Sequence, residues 1–145
     1  MPTRLDLAKR VVAGELAQAP IFRLLGARLI AIESGRARVE LATDERHANP
    51  MGTLHGGVLC DIADAAMGMA YAATLEDGES FTTLELKINF LRPVWKATLT
   101  AEGVVVHRGR TVGLTECAIT DDKGKLIAKA TSTCLTLRGD QAAGR

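Results

Sequence analysis

The sequence predicts an α+β domain in which an antiparallel sheet of about six strands wraps around one long central helix. Strand-like runs cluster along the chain instead of alternating with helices. One segment, from His55 to about Leu75, is apolar on nearly every side of a helix, which indicates that protein surrounds it. The chain has 145 residues, the length of a single domain.

The first part of the chain is predicted to be helical. Residues 4–16 carry apolar side chains near helical spacing, at Leu5, Ala8, Val12 and Leu16. Pro20 then begins a short apolar turn, which Gly26 ends. We therefore expect an N-terminal helical segment over residues 1–20, followed by one domain over 21–138.

The strands are predicted from runs of strand-forming residues separated by turn residues. Segments 27–33 and 36–43 flank Ser34-Gly35 and predict a hairpin. Four further runs follow the central helix, at residues 81–91, 97–107, 111–120 and 125–137. In the first of these, leucines alternate with polar residues, which predicts that Thr83 lies on the polar face of its strand. The last residues, 139–145, are expected to form a frayed, disordered tail.

Composition excludes several classes of protein. The net charge of +1 and an aromatic content of 3% argue against a nucleic-acid binder. Three cysteines without CxxC spacing argue against a disulfide framework or a zinc ribbon. No secretory signal and no stretch of 18 apolar residues is present, so we expect a cytoplasmic protein with no membrane partner.

Charge is distributed unevenly along the chain. Residues 1–85 carry 8 basic and 12 acidic side chains, whereas residues 86–138 carry 9 basic and 4 acidic ones. The second half is therefore basic and suits a phosphorylated ligand.

The chemistry-bearing segment is residues 47–68. His55, Gly56 and Gly57 stand at the predicted start of the central helix, where backbone N–H groups lack helical acceptors and the helix dipole adds positive potential. Glycines allow a ligand to approach these amides closely. Such a site polarises a carbonyl and stabilises an oxyanion.

A stripe of small and acidic residues follows one face of this helix, at Gly57, Asp61, Asp64 and Gly68. A carboxylate on a buried helix is costly, so each is either paired locally or functional, and spacing leaves both readings open. Asn49, just before Pro50, fits an Asx turn as well as a functional role.

Two other site types are disfavoured. Cys60 lies off the acidic stripe among apolar helix positions, so a core cysteine is favoured over a nucleophile. The residues His47, His55, Asp61 and Asp64 do not have the spacing of a metal-ligand set. We therefore expect no metal.

The segment NPMGTLHGG, with Asp64 nine residues after its histidine, resembles the active-site signature of hotdog-fold acyl-CoA thioesterases of the phenylacetate-degradation (PaaI-like) type. FLRP at 90–93 and HRGRT at 107–111 resemble later strands of that family, in the same order. The resemblance extends from Phe22 to Leu137. It implies the hotdog fold, in which a sheet wraps around one helix.

The resemblance also implies residue roles. Asp64 corresponds to the catalytic carboxylate, either nucleophile or general base, and Gly56 and Gly57 lie in the stretch that binds the thioester carbonyl. His55 and Asn49 match positions that orient the thioester and water. Two further positions concern variation within the family. Thr83 matches a hydroxyl that places water, and Gly68 stands where the hydroxybenzoyl-CoA branch often has Ser or Thr.

The expected activity is hydrolysis of an acyl- or aryl-acetyl-CoA without a cofactor, coenzyme A being part of the substrate. Candidate contacts for its phosphates are the basic side chains Arg92, Lys96, Arg108 and Arg110, with Gly109 shaping the basic hairpin. A solvated turn is the alternative for that hairpin. Asp61 and Gly56 are further candidate substrate contacts.

Two alternatives keep the same fold. One is a non-catalytic acyl-CoA-binding module. The other is a hydratase, although the hydratase motif, an Asp followed five residues later by His, is absent after Asp64. The family also implies a homodimer or a dimer-of-dimers homotetramer, since an open strand edge such as 81–91 needs covering.

Overall fold

The computed structural model describes all 145 residues and contains six strands, three α-helices and two 3-10 turns. In chain order these are α1 (Arg4–Val12), α2 (Pro20–Leu25), β1 (Ala27–Glu33), β2 (Arg36–Ala42), a 3-10 turn (Glu45–His47), α3 (Gly56–Ala72), β3 (Ser80–Phe90), β4 (Thr98–Arg108), β5 (Val112–Thr120), β6 (Leu126–Leu137) and a last 3-10 turn (Gly139–Ala142).

All six strands form one antiparallel sheet in the order β1-β2-β4-β5-β6-β3. The helix α3 packs against the concave face of this sheet and contacts every strand. The predicted fold class, a sheet of about six strands around one central helix, is therefore confirmed. Because β3 pairs only with β6, it is an edge strand.

Close packing between α3 and the sheet requires glycine at two strand positions. A Cβ at Gly103 of β4 would overlap the backbone of Ala66, and a Cβ at Gly113 of β5 would overlap the ring of Tyr71. The tyrosine is fully buried, and its hydroxyl is hydrogen-bonded to Thr136 at 2.7 Å. These contacts fix the position of α3 on the sheet.

A β-bulge interrupts β3. Thr83 lies opposite Cys134 and Glu85 lies opposite Thr133, so Leu84 is an extra residue with no partner of its own. Bulges of this kind change which side chains face the core on either side of them.

The bulge overturns the prediction that Thr83 lies on the polar face of its strand. Thr83 is opposite the buried Cys134, and Leu86 is opposite the buried Ser132, so Thr83 and Leu86 both face α3. The alternation in the sequence continues through the bulge and therefore gives the wrong face for Thr83.

The N-terminal segment forms two short helices that pack on β1. The first ends at Val12, earlier than the predicted residue 16, because the chain turns through Gly14 at φ +79°. Gly26 ends α2, as predicted, and adopts the left-handed conformation. Residues 139–142, predicted to fray, form a 3-10 turn whose side chains are mostly exposed.

None of the three α-helices combines the length and the hydropathy that a transmembrane helix needs.

Candidate active site

The start of α3 leaves one backbone donor free. His55 caps the helix, and its Nδ1 accepts the N–H of Gly57 at 2.8 Å. The N–H of Gly56 donates to no acceptor in the chain. The two glycines that the sequence treats as equivalent are thus distinct, and Gly56 carries the open amide. With Nδ1 accepting, a neutral His55 ring carries its proton on Nε2.

A groove passes in front of this open amide. A Cβ on Gly56 would lie 2.9 Å from Phe90 Cζ, so glycine is what allows the amide and the phenyl ring to lie side by side. The groove has a volume of about 410 Å³ and is lined by Leu54, Gly56, Leu59, Phe90, Leu91, Arg92, Pro93 and Val94. Arg92 is therefore the predicted phosphate contact that lies close to Gly56.

Asp64 and Thr83 meet in the structure. The Thr83 hydroxyl donates to Asp64 Oδ1 at 3.1 Å, because the pairing of Thr83 with Cys134 turns this side chain toward α3. Asp64 is exposed and has no ion-pair partner in the chain. The sequence left open whether Asp64 is paired locally or is functional. The structure shows a hydrogen bond from a hydroxyl to Asp64 but no cation that neutralises its charge.

Asp61 lies one turn before Asp64 on the same face. Partial desolvation and the charge of Asp64 raise the pKa of the Asp61 carboxyl above its ordinary value. Together with Gly57, these residues form an exposed stripe, so α3 is not surrounded by protein on every side. The prediction that protein surrounds this nearly all-apolar helix therefore does not hold for the face that carries the acidic residues.

An apolar cavity of about 360 Å³ opens beside the two carboxylates. Asp61, Asp64 and Thr83 lie in its wall, whereas eleven of its sixteen lining residues are hydrophobic. Its apolar wall comes largely from α1, α2, β1 and α3: Val11, Ile21, Phe22, Leu25, Leu29, Ile62, Ala65 and Met69. The site thus combines a carboxylate, a hydroxyl and a hydrophobic recess.

Asn49 organises its own loop. Its Oδ1 accepts the N–H groups of Met51 and Thr53 at 2.9 and 3.2 Å, and its Nδ2 donates to Thr53 Oγ1 at 2.7 Å. The Asx-turn alternative therefore describes this side chain. The role in orienting substrate that the resemblance implies stays a prediction.

The basic hairpin lies at the other end of α3. Arg108 donates to Glu79 at 3.0 Å, to Thr74 at 3.0 Å, and stacks 5.0 Å from the Tyr71 ring. Gly109 is required by the turn itself, because a Cβ there would overlap the carbonyl of Val112. The length of α3 separates this hairpin from Gly56 by about 25 Å within one protomer. Its role in phosphate binding stays a prediction.

Sequence reasoning missed the acidic partner of that hairpin. Glu79 is only 8% exposed and is paired with Arg108 at 3.0 Å and Arg138 at 2.6 Å. The Glu76 amide and the two arginines hold the pKa of the Glu79 carboxyl below its ordinary value. The sequence around Glu79 gives no signal of these ion pairs, because both arginines lie about 30 to 60 residues away along the chain.

Cys60 and the candidate metal ligands have no geometry for catalysis of their own. Burial and the Asp61 charge raise the pKa of the Cys60 thiol, which disfavours the thiolate that a nucleophile requires. His47 is buried and bonded to Leu25 O and the Asp44 amide. The structure contains no group of three or more His, Cys, Asp or Glu side chains able to hold a metal ion.

Comparison with known proteins gives a consistent result. Residues 51–128 match the family model described as the thioesterase superfamily. The chain is 32% identical to 1,4-dihydroxy-2-naphthoyl-CoA hydrolase of Listeria monocytogenes, over 71% of this chain and 84% of that protein. It is 30% identical to acyl-coenzyme A thioesterase 13 of Homo sapiens, over 90% and 96%. The structure of the E. coli PaaI protein superposes with a TM-score of 0.82 at 25% identity, over 94% and 98%.

Proposed function

The chain belongs to the thioesterase superfamily, and we propose that it hydrolyses an acyl-CoA thioester to the free acid and coenzyme A. One observation carries this proposal: the unneutralised carboxylate of Asp64, hydrogen-bonded to Thr83, stands in the wall of an apolar cavity. A thioester with a hydrophobic acyl group places its reactive carbon at such a boundary. An acyl- or aryl-acetyl-CoA fits this description.

In the proposed reaction, Asp64 acts as a general base. Its Oδ2 takes a proton from water as the water oxygen attacks the thioester carbonyl carbon, while Oδ1 keeps its hydrogen bond to Thr83. The carbon–sulfur bond then breaks, and the leaving CoA thiolate takes the proton. The free acid and the thiol are the products, and no cofactor takes part.

The carbonyl oxygen needs a donor as negative charge develops on it, and the open N–H of Gly56 at the start of α3 supplies one. The Nε2–H of His55, beside it, and Asn49 are proposed to orient the thioester and the water. Gly57 contributes by holding the His55 ring through its own N–H.

Gly56 and Asp64 are eight residues apart on one helix, which separates them by about 12 Å. A reacting carbonyl must lie about 3 Å from both the donor and the attacking water, so one protomer cannot supply both groups. We therefore propose a homodimer, alone or as half of a dimer-of-dimers homotetramer, in which antiparallel α3 helices bring Gly56 of one copy to Asp64 of the other. The open edge of β3 supports such pairing.

The first test is thiol release from a panel of short, medium, long and aryl acyl-CoAs. The proposal expects turnover by the wild type and a loss of about 10²–10⁴-fold in Asp64→Asn, with the fold retained. Asp61→Asn is the matched control one turn away and keeps most activity. Near-wild-type turnover by Asp64→Asn contradicts the proposal, and loss in Asp61→Asn alone moves the base to Asp61.

The same panel separates the alternatives. Tight binding of an acyl-CoA without thiol release favours a binding module. Consumption of an unsaturated acyl-CoA without thiol release favours a hydratase.

A second test addresses the shared site. Gly56→Pro removes the N–H and adds a ring, at a first helical position whose backbone conformation proline accepts. Gly56→Ala adds a Cβ but keeps the N–H, so it controls for crowding against Phe90. Mixing Gly56→Pro with Asp64→Asn protomers restores activity if sites are shared. If each protomer held its own complete site, the mixture would stay inactive.

A further inference from the structure

The apolar cavity beside Asp64 has walls from two parts of one protomer. Helices α1 and α2 contribute Val11, Ile21, Phe22 and Leu25, and all of these lie before residue 51, where the family match begins. The opposite wall comes from α3 and from Phe81 of β3. The part of the chain that the family model does not cover thus shapes half of this recess.

The cavity has no cation in its lining. Besides Asp61, Asp64 and Thr83, the lining has one other polar side chain, Gln18. Its Oε1 already accepts the N–H of Leu29 at 2.9 Å. A charged end group buried there would have no partner, which is unfavourable. The cavity therefore suits an uncharged apolar chain or ring.

Gly68 limits the reach of the cavity. It lies one turn beyond Asp64, and a Cβ at this position would stand 3.4 Å from Phe81 Cζ. A larger side chain at 68 would occupy the recess itself. The helical backbone accepts other residues there, so the effect of substitution falls on cavity volume.

Resting on the proposed function, we propose that residues 11–29 and α3 of the same protomer hold the acyl group, that this group is uncharged and apolar, and that Gly68 with Phe81 limits its length. The acyl group then binds to the protomer that carries Asp64. This holds even if a second copy supplies the N–H that binds the thioester carbonyl. Acyl groups ending in a carboxylate are excluded.

The test compares kcat/KM across acetyl- to dodecanoyl-CoA and phenylacetyl-CoA. Gly68→Val lowers kcat/KM for the longest accepted chains about tenfold, the effect of displacing two methylenes, and lowers it least for acetyl-CoA. Ile21→Ala shifts the optimum to longer chains. Leu24→Ala, on the same helix but 76% exposed and outside the cavity, is the matched control and shifts nothing.

A binding measurement keeps this proposal separate from the proposed function. Calorimetry can measure the binding of 1-decanol, which is uncharged. The proposal expects 1-decanol to bind the wild type and Leu24→Ala, and to bind Gly68→Val more weakly. If no acyl-CoA is hydrolysed, the proposed function fails while this binding still tests the cavity. An unchanged chain-length profile in both Gly68→Val and Ile21→Ala overturns the cavity proposal.

Discussion

The two ends of α3 carry similar polar groups in opposite states. In its first half, the N–H of Gly56 has no acceptor, and Asp61 and Asp64 have no cation. At its C-terminal end the Tyr71 hydroxyl is bonded to Thr136, and just beyond that end Glu79 is bound by two arginines. The C-terminal end is complete within the chain, whereas the N-terminal half has groups available to a ligand or a second copy.

The pKa shifts follow the same division. The pKa of the Glu79 carboxyl is lowered by the Glu76 amide and by Arg138 and Arg108. The pKa of Asp61 is raised by desolvation and by Asp64. The carboxylate of Glu79 is surrounded by donors, whereas the two carboxylates that repel each other lie in the wall of the apolar cavity, a pattern typical of functional sites.

The largest effect on this comparison is expected from Glu79→Gln. Removing the charge leaves Arg108 and Arg138 without their shared partner, which lowers the free energy of unfolding by about 1–3 kcal/mol. Acyl-CoA turnover stays at the wild-type level. Urea denaturation measures the loss, and Asp64→Asn is the control, with unchanged stability and lost turnover. A stable Glu79→Gln protein would show that the C-terminal end does not depend on this pairing.

The pH dependence of stability follows from the same carboxyl. Because its folded pKa lies below the ordinary value of 4.5, Glu79 stabilises the fold above that pH and loses its contribution as the pH falls through the folded pKa. Wild-type stability therefore falls below about pH 4.5 more steeply than that of Glu79→Gln. Parallel curves from denaturation at pH 3 to 6 would contradict this.

A smaller effect is expected at the open half of α3 from Thr83→Val. This substitution preserves shape but removes the hydroxyl that donates to Asp64, so kcat falls about tenfold while stability changes little. Steady-state kinetics measures the change. Thr82→Val, the neighbouring position facing away from α3, serves as the control, and equal losses in both would deny Thr83 a specific role.

The smallest expected effect is on KM, and it tests which end of α3 carries the arginine that contacts the CoA phosphates. Arg92 lies in the groove at Gly56, so Arg92→Ala raises the KM for acyl-CoA about threefold but not that for a pantetheine-truncated thioester. Arg110→Ala leaves both KM values unchanged, and unlike Arg108 its side chain makes no ion pair whose loss would disturb the fold. The reverse result would assign the phosphates to the hairpin.

The elements were largely predictable because their signals are local. The alternating strands and the apolar helix follow from residue type and spacing alone, and observed boundaries differ from the predicted ones by few residues. The early end of α1 could also have been found, since Gly14 interrupts the helical pattern. The resemblance in the segment from Asn49 to Asp64 predicted the correct family.

The site was less predictable because its contacts join distant parts of the chain. The face of Thr83 depends on the register between β3 and β6, which alternation within β3 does not contain. The pairing of Arg108 with Glu79, and the difference between the amides of Gly56 and Gly57, likewise exist only in three dimensions.

The bulge at Leu84 has a consequence for comparing relatives. If Leu84 were deleted, Thr83 would still face α3 opposite Cys134 and Leu86 would still face α3 opposite Ser132, because the strand would simply become regular. A relative one residue shorter here would keep the same inward side chains. Its hydroxyl would then stand nine residues before the proline equivalent to Pro93 instead of ten. Equivalent hydroxyls must therefore be matched through their partners on β6, not by distance along the chain.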